Sequence, residues 1–140
     1  MNRAESERYR QFHVERSWEN ERVTSQIEPI HWKITMLFYS AVHLVLAKMV
    51  ESPLRYGETQ EERARRTHDD IFGYIRDDKY LIKIYRPYNV LFRLSRRARY
   101  DVWKPGDHDM KNAEKAFGQV RDYFIKTFPN WFKRPRGKEA

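Results

Sequence analysis

The chain has 140 residues, enough for one hydrophobic core and too few for two ordinary domains, which excludes any mechanism that needs a cleft between domains. It has no cysteine, so disulfides, thiolate nucleophiles and Cys-ligated zinc or iron–sulfur centres are excluded as well, and a cytoplasmic location is the expectation. The 28 Lys and Arg against 20 Asp and Glu leave a net +8, a bias toward anionic partners such as nucleic acid.

Only 5 Gly and 6 Pro, with apolar residues recurring at three- and four-residue steps and no alternating runs joined by a tight-turn dipeptide, predict an all-α, single-domain bundle of about five helices. The first helix, Glu5 to about Gln26, is strongly charged, with a narrow stripe of Tyr9, Phe12, Val14, Val23 and Ile27 that suits the rim of a core. Its glutamates and its lack of an apolar run read as neither a secretory signal nor a transit peptide. Pro29 suits the first turn of the next helix, and Ile30 to Val50 is apolar nearly all round, as expected of a central buried helix. Its longest apolar stretch, Met36 to Ala47, is interrupted by Ser40 and His43 and is shorter than the ~20 residues of a spanning helix, so no membrane span is expected.

Ser52 to Gly57 reads as a loop, and Thr59 followed by Glu62 has capping-box spacing, which starts a third helix near Gln60. That helix is polar through Arg66 and gains apolar residues only at Ile71, Phe72, Tyr74 and Ile75. A fourth, Tyr80 to about Tyr100, carries Leu81, Ile84, Tyr85, Tyr88, Leu91 and Phe92 at helical steps, with Pro87 expected to kink or shorten it. After the loop Lys104-Pro105-Gly106, Asp107 or Asp109 is placed to cap a fifth helix bearing Ala113, Phe117, Val120, Phe124 and Phe128. The bundle is thus expected over residues 1–128, followed by a basic, proline-broken, loosely held tail over 129–140.

Charge is unevenly spread along these segments. Residues 1–28 carry 5 Arg against 6 Glu, and residues 55–79 carry 6 basic against 7 acidic groups, so both are close to neutral. Residues 80–104 carry seven basic groups against Asp101 alone. Arg93, Arg96, Arg97, Arg99 and Lys104 suit a strip for phosphates, with Tyr100 and Trp103 available for base stacking. The same cations also complement the negative end of a helix dipole, so composition leaves both roles open.

The five histidines, His13, His31, His43, His68 and His108, show no i, i+4 ligand spacing, and no metal site or cofactor is expected; Asp107-His108-Asp109 has at most the makings of a weak cation loop. There is no Walker loop and no Gly-x-Ser-x-Gly elbow. Enzyme chemistry therefore reduces to Arg, His, Tyr and carboxylates. His43, among apolar neighbours and one turn after Tyr39, is either a hydrogen-bonded core residue or a neutral base reached by a cleft. Arg63 and His68 form Arg-x4-His, a pairing in which imidazole takes the 2′-hydroxyl proton of RNA while guanidinium stabilises the phosphorane. Arg8 and His13 repeat that spacing, as expected by chance in so Arg-rich a chain.

The run His31-Trp32-Lys33-Ile34-Thr35-Met36-Leu37-Phe38-Tyr39-Ser40-Ala41-Val42-His43-Leu44-Val45-Leu46-Ala47 resembles the second helix of HEPN-like proteins: an aromatic pair, small residues, then His and an apolar turn. Tyr85 to Tyr100 is similar to the same family's pattern of tyrosine, leucine, arginine and a terminal Ala-x-Tyr. The resemblance spans about residues 30–103 and implies a helical bundle that binds RNA, nucleotide or an acidic partner as a homodimer or assembly subunit. An alternative it implies is a metal-independent endoribonuclease of toxin or defence type, with His43 or His68 as base and Arg63 or Arg97 as phosphate stabiliser. In active relatives the Arg-x4-6-His motif lies late in the bundle. Here Arg96-Arg97-Ala98-Arg99-Tyr100-Asp101 has no histidine within six residues.

Overall fold

In the computed structural model, residues 1–100 and 104–133 are described, and they form an all-α bundle. Its helices are α1 (Arg3–Thr24), α2 (Ile30–Met49), α3 (Pro53–Tyr56), α4 (Gln60–Ala64), α5 (His68–Asp77), α6 (Tyr85–Tyr100) and α7 (Asp107–Thr127), with 3₁₀ turns at Leu81–Ile84 and Pro129–Phe132. Helix α2 is the axis around which the rest packs: α1, α6 and α7 all lie against it, and α6 also packs on α7. Thirteen of its twenty residues are buried, as its continuous apolar run requires. Its two buried hydroxyls cost little because each donates one turn back, Thr35 to the His31 carbonyl at 2.9 Å and Ser40 to the Met36 carbonyl at 3.0 Å. The full helix is longer than the Met36 to Ala47 stretch, and is long and apolar enough to cross a membrane; in the fold most of that surface is covered by its neighbours.

The chain divides more finely than five helices. The segment from Gln60 is two helices because it contains two start signals: the Thr59–Glu62 capping box opens α4, and a second box opens α5. In the second, Thr67 Oγ1 accepts from the Asp70 N–H at 3.1 Å while an Asp70 carboxylate oxygen accepts from the Thr67 N–H at 2.9 Å. Pro87 lies in the first turn of α6, where its missing N–H has no intrahelical partner to lose, so it marks a start instead of a kink; the preceding Leu81 to Ile84 turns as 3₁₀. Gly106 stands at the N-cap of α7 and donates its N–H to Asp109 at 2.9 Å, so Asp109, one of the two expected capping residues, serves from the first turn.

The start of the expected tail is held to the bundle. Trp131 stacks on Phe128 with centroids 4.3 Å apart, and the Arg10 guanidinium lies 4.7 Å from the Trp131 ring. Residues 134–140, with Arg134, Arg136 and Lys138, and residues 101–103, with Trp103, lie outside the described residues.

Candidate functional site

Two clusters of ionisable and aromatic side chains lie one turn apart along the same face of α2, at Tyr39 and at His43. The first is assembled where α5 begins and α6 ends. His68 is the first residue of α5, and its ring lies 5.6 Å from Phe38, 6.5 Å from Tyr39 and 5.5 Å from Phe92. Arg99, in the last turn of α6, donates to the Tyr39 hydroxyl at 3.0 Å and to the Ser95 carbonyl at 3.3 Å, with its guanidinium 5.1 Å from the Tyr100 ring. His68 Nδ1 is buried with no hydrogen-bond partner among the described residues. Burial, reinforced by Arg99 and opposed by Asp69, lowers the His68 pKa, and Arg96 lowers it further. The imidazole is therefore neutral at ordinary pH and carries a free lone pair or an unspent N–H. His68 and two members of the predicted arginine strip, Arg96 and Arg99, thus share one edge of the bundle.

The second cluster was not foreseen as a unit. His13 of α1 faces His43 of α2 with Nδ1 to Nδ1 at 2.8 Å, and its Nε2 lies 2.7 Å from the hydroxyl of Tyr56 at the end of α3. Around this His–His–Tyr chain stand three guanidiniums. Arg63 donates to the Gly57 carbonyl at 2.9 Å and to the Tyr9 hydroxyl at 3.1 Å. Arg66 donates to the Tyr56 carbonyl and lies 5.0 Å from the Tyr56 ring. Arg16 lies 4.7 Å from the Phe12 ring, which in turn presents its edge to His43 at 6.3 Å, and its Nε meets Glu19 at 3.3 Å. Burial, then His43 and the three arginines, push the His13 pKa down to about 3; burial, then Arg16 and Arg66, push that of His43 down to about 4. Both rings are neutral at ordinary pH.

The fold thus sends the members of Arg63-x4-His68 in different directions, Arg63 to Tyr9 and Gly57, His68 to Tyr39, Phe92 and Arg99. His43 belongs with His13 and not with His68. The arginine strip is likewise divided by the helix period. Arg96 and Arg99 act on His68, whereas Arg93 lines a groove between α6 and α7 with Val90, Leu94, Lys115 and Gln119, and Arg97 is exposed. Tyr100 is 72% exposed and Lys104 is exposed, so both are open to a ligand. At the start of α7, His108 meets Asn112 at 3.4 Å while Asp109 is occupied with the Gly106 N–H. Among the described residues no group of three His, Asp or Glu side chains is placed to hold a metal ion.

Sequence reasoning missed His13 as a site residue, and with it Tyr56, Arg16 and Arg66. A signal for His13 existed: Tyr9 and His13 on α1, and Tyr39 and His43 on α2, are both aromatic–His pairs at i, i+4, so each helix carries its pair on one face. What the chain alone did not reveal is that these two faces meet. Compared with known proteins, the chain matches no family model, no curated protein and no solved structure.

Proposed function

We propose that this chain is an RNA-binding module, HEPN-like in its second and sixth helices, that holds phosphates with Arg96 and Arg99 beside His68 and stacks bases on Tyr100. One observation carries this reading: at the end of α6, the Arg99 guanidinium bonds, among the described residues, only a carbonyl and a phenol, and it faces a neutral imidazole. Guanidiniums fit phosphate oxygens in a bidentate fashion, and exposed aromatic faces accept any base, which together describe sequence-tolerant binding of single strands. The module is read as a homodimer or an assembly subunit, with α4, which buries none of its residues, as the face left for a second copy. Sedimentation of the purified chain tests that part.

Binding is tested by fluorescence anisotropy of labelled single-stranded RNA over a salt series. Affinity should fall steeply with salt, and Arg99→Gln should flatten the log–log slope by about 0.7, the share of one phosphate contact on a single strand. A salt-independent affinity overturns the reading. A second reading, metal-independent RNA cleavage, is favoured by the buried, unbonded Nδ1 of His68 beside Arg99. There His68 takes the 2′-hydroxyl proton and Arg99 stabilises the phosphorane, while Arg63 and His43 stand outside the reaction. Cleavage in EDTA that His68→Ala abolishes supports it; cleavage that survives this substitution, or none at all, removes it.

A further inference from the structure

Helices α6 and α7 pack on each other, and two hollows follow the seam between them, joined at Gln119, which lines both. Their walls are two helical stripes, Pro87, Val90 and Leu94 on α6 and Asn112, Ala116, Gln119 and Tyr123 on α7, each at three- or four-residue steps and so each on one face. From Asn112 to Tyr123 the groove runs about 16 Å, or about three helical turns. Its floor is aliphatic. Ala116 keeps it open, and Val90 and, at the far end, Ile82 remain 42% and 44% exposed, so apolar surface faces solvent along its length. The rims are basic: Lys83, Arg86 and Arg93 follow one side and Lys115 the other, all four exposed. Among the described residues none of these four side chains makes an ion pair or a hydrogen bond, whereas Arg10, Lys48, Arg55 and Arg121 each meet a carboxylate. No Asp or Glu lines either hollow, while the hollow beside α4 holds Glu62 and Asp70 and the one between α1 and α7 holds Glu21 and Glu114. An exposed apolar strip rimmed by unpaired charge of one sign is the surface expected of an interaction site.

We infer that the α6–α7 groove is the docking site for an acidic amphipathic helix of a partner protein, which lays its apolar stripe on Val90, Leu94 and Ala116 and sets carboxylates against Arg93 and Lys115. The inference is independent of the RNA-binding reading, which concerns Arg96, Arg99 and His68. Charge complementarity selects the occupant: cations on both rims, with no carboxylate between them, match a helix whose apolar stripe is flanked by Glu or Asp on either side. A nucleic acid strand fits less well, because Val90, Leu94 and Ala116 offer no aromatic face for a base to stack on. The chain's own residues 134–140 have the wrong sign, with Arg134, Arg136 and Lys138 against Glu139 alone. A second copy is also a poor fit, since α5, acidic in its first turn, spends Ile71, Phe72, Tyr74 and Ile75 on its own core.

The test is fluorescence anisotropy of a labelled, helix-stapled synthetic peptide of about 14 residues, titrated with the full chain; its leucines stand at i, i+3, i+7 and i+10 with glutamates flanking them. A scrambled peptide of the same composition has the charge without the stripe. The striped peptide should bind saturably and the scrambled one several-fold more weakly. Arg93→Glu, Lys115→Glu and Val90→Ser should each weaken the striped peptide several-fold; all three positions are exposed, and far-ultraviolet circular dichroism confirms that each variant is folded. Arg8→Glu makes the same charge change at an exposed position on α1 and should leave the affinity unchanged. Absence of binding, equal affinity for the two peptides, or an equal loss with Arg8→Glu overturns the inference. Displacement of the striped peptide by single-stranded RNA assigns the groove to nucleic acid, and self-association of the chain that Val90→Ser abolishes in sedimentation assigns it to a second copy; either result overturns the inference as well.

Discussion

Acidification below about pH 6.5 should destabilise this protein, and the His13–His43 pair sets the size of the effect. Both rings have an unfolded pKa near 6.5, lowered in the fold to about 3 and about 4, so below pH 6.5 the unfolded chain binds protons that the folded chain refuses. The contribution is neutral above that value and becomes a penalty as pH falls, growing by about 1.4 kcal/mol per pH unit for each ring. Between about pH 7 and about pH 4.5 the two rings together remove roughly 5 kcal/mol, a large share of the ~7–20 kcal/mol expected for a domain of this length. Urea denaturation followed by far-ultraviolet circular dichroism at a series of pH values measures it. The comparison that isolates the pair is His43→Leu, which costs stability at neutral pH by unpairing His13 but should reduce the acid slope by about 1.4 kcal/mol per pH unit. Equal slopes for the two proteins, or stability that stays flat from about pH 6.5 to about pH 4.5, would refute the reasoning that both rings are held neutral.

Three further outcomes follow from single contacts. Tyr88 is fully buried and its hydroxyl has no hydrogen-bond partner among the described residues, so Tyr88→Phe should raise the urea midpoint, gaining about 1 kcal/mol, where a loss would mean the hydroxyl has a partner. Gly57 has φ 103°, and a Cβ there would stand 2.9 Å from Arg63 Cγ and 3.0 Å from Arg63 N, so Gly57→Ala should cost about 1–3 kcal/mol and displace Arg63 from Tyr9, visible as a shift of the Tyr9 ring resonances. Asp78 meets the buried Lys48 at 3.2 Å and accepts from the Tyr80 and Leu81 N–H groups, so Asp78→Ala should cost about 1–3 kcal/mol in the same denaturation assay, chiefly by leaving those two N–H groups without their acceptor, since Glu51 at 2.6 Å still pairs Lys48.

How far these features were legible in the chain depended on whether they were local. Helix α2 was plain from its own composition, and the Thr59–Glu62 cap and the Gly106 turn were plain from their spacing, because a cap is settled within four residues. The break between α4 and α5 was equally local, but Thr67-x-x-Asp70 uses an acid that also reads as a solvated surface residue, and the helical pattern ran through it. Pro87 left a kink and a shorter helix both open, and the structure takes the second: the α-helix begins at Tyr85 after a 3₁₀ start at Leu81, which puts Pro87 in its first turn. The sites were the least legible. Arg-x4-His is a distance along one chain, and the two side chains leave it in different directions. The contacts that matter, His13 to His43 across 30 positions and Arg99 to Tyr39 across 60, are made by the packing of α1 and α6 on α2, which no short window contains.

The central claim is that an anionic single strand lies across the edge formed by α5 and the end of α6. The most direct measurement is a side-chain and amide NMR shift map of the full chain titrated with a short single-stranded RNA. The account predicts the largest changes at His68, Arg96, Arg99, Tyr39 and Tyr100, reversed by added salt. Shifts confined to the groove between α6 and α7 at Arg93 and Lys115, or no shifts at all, would contradict it.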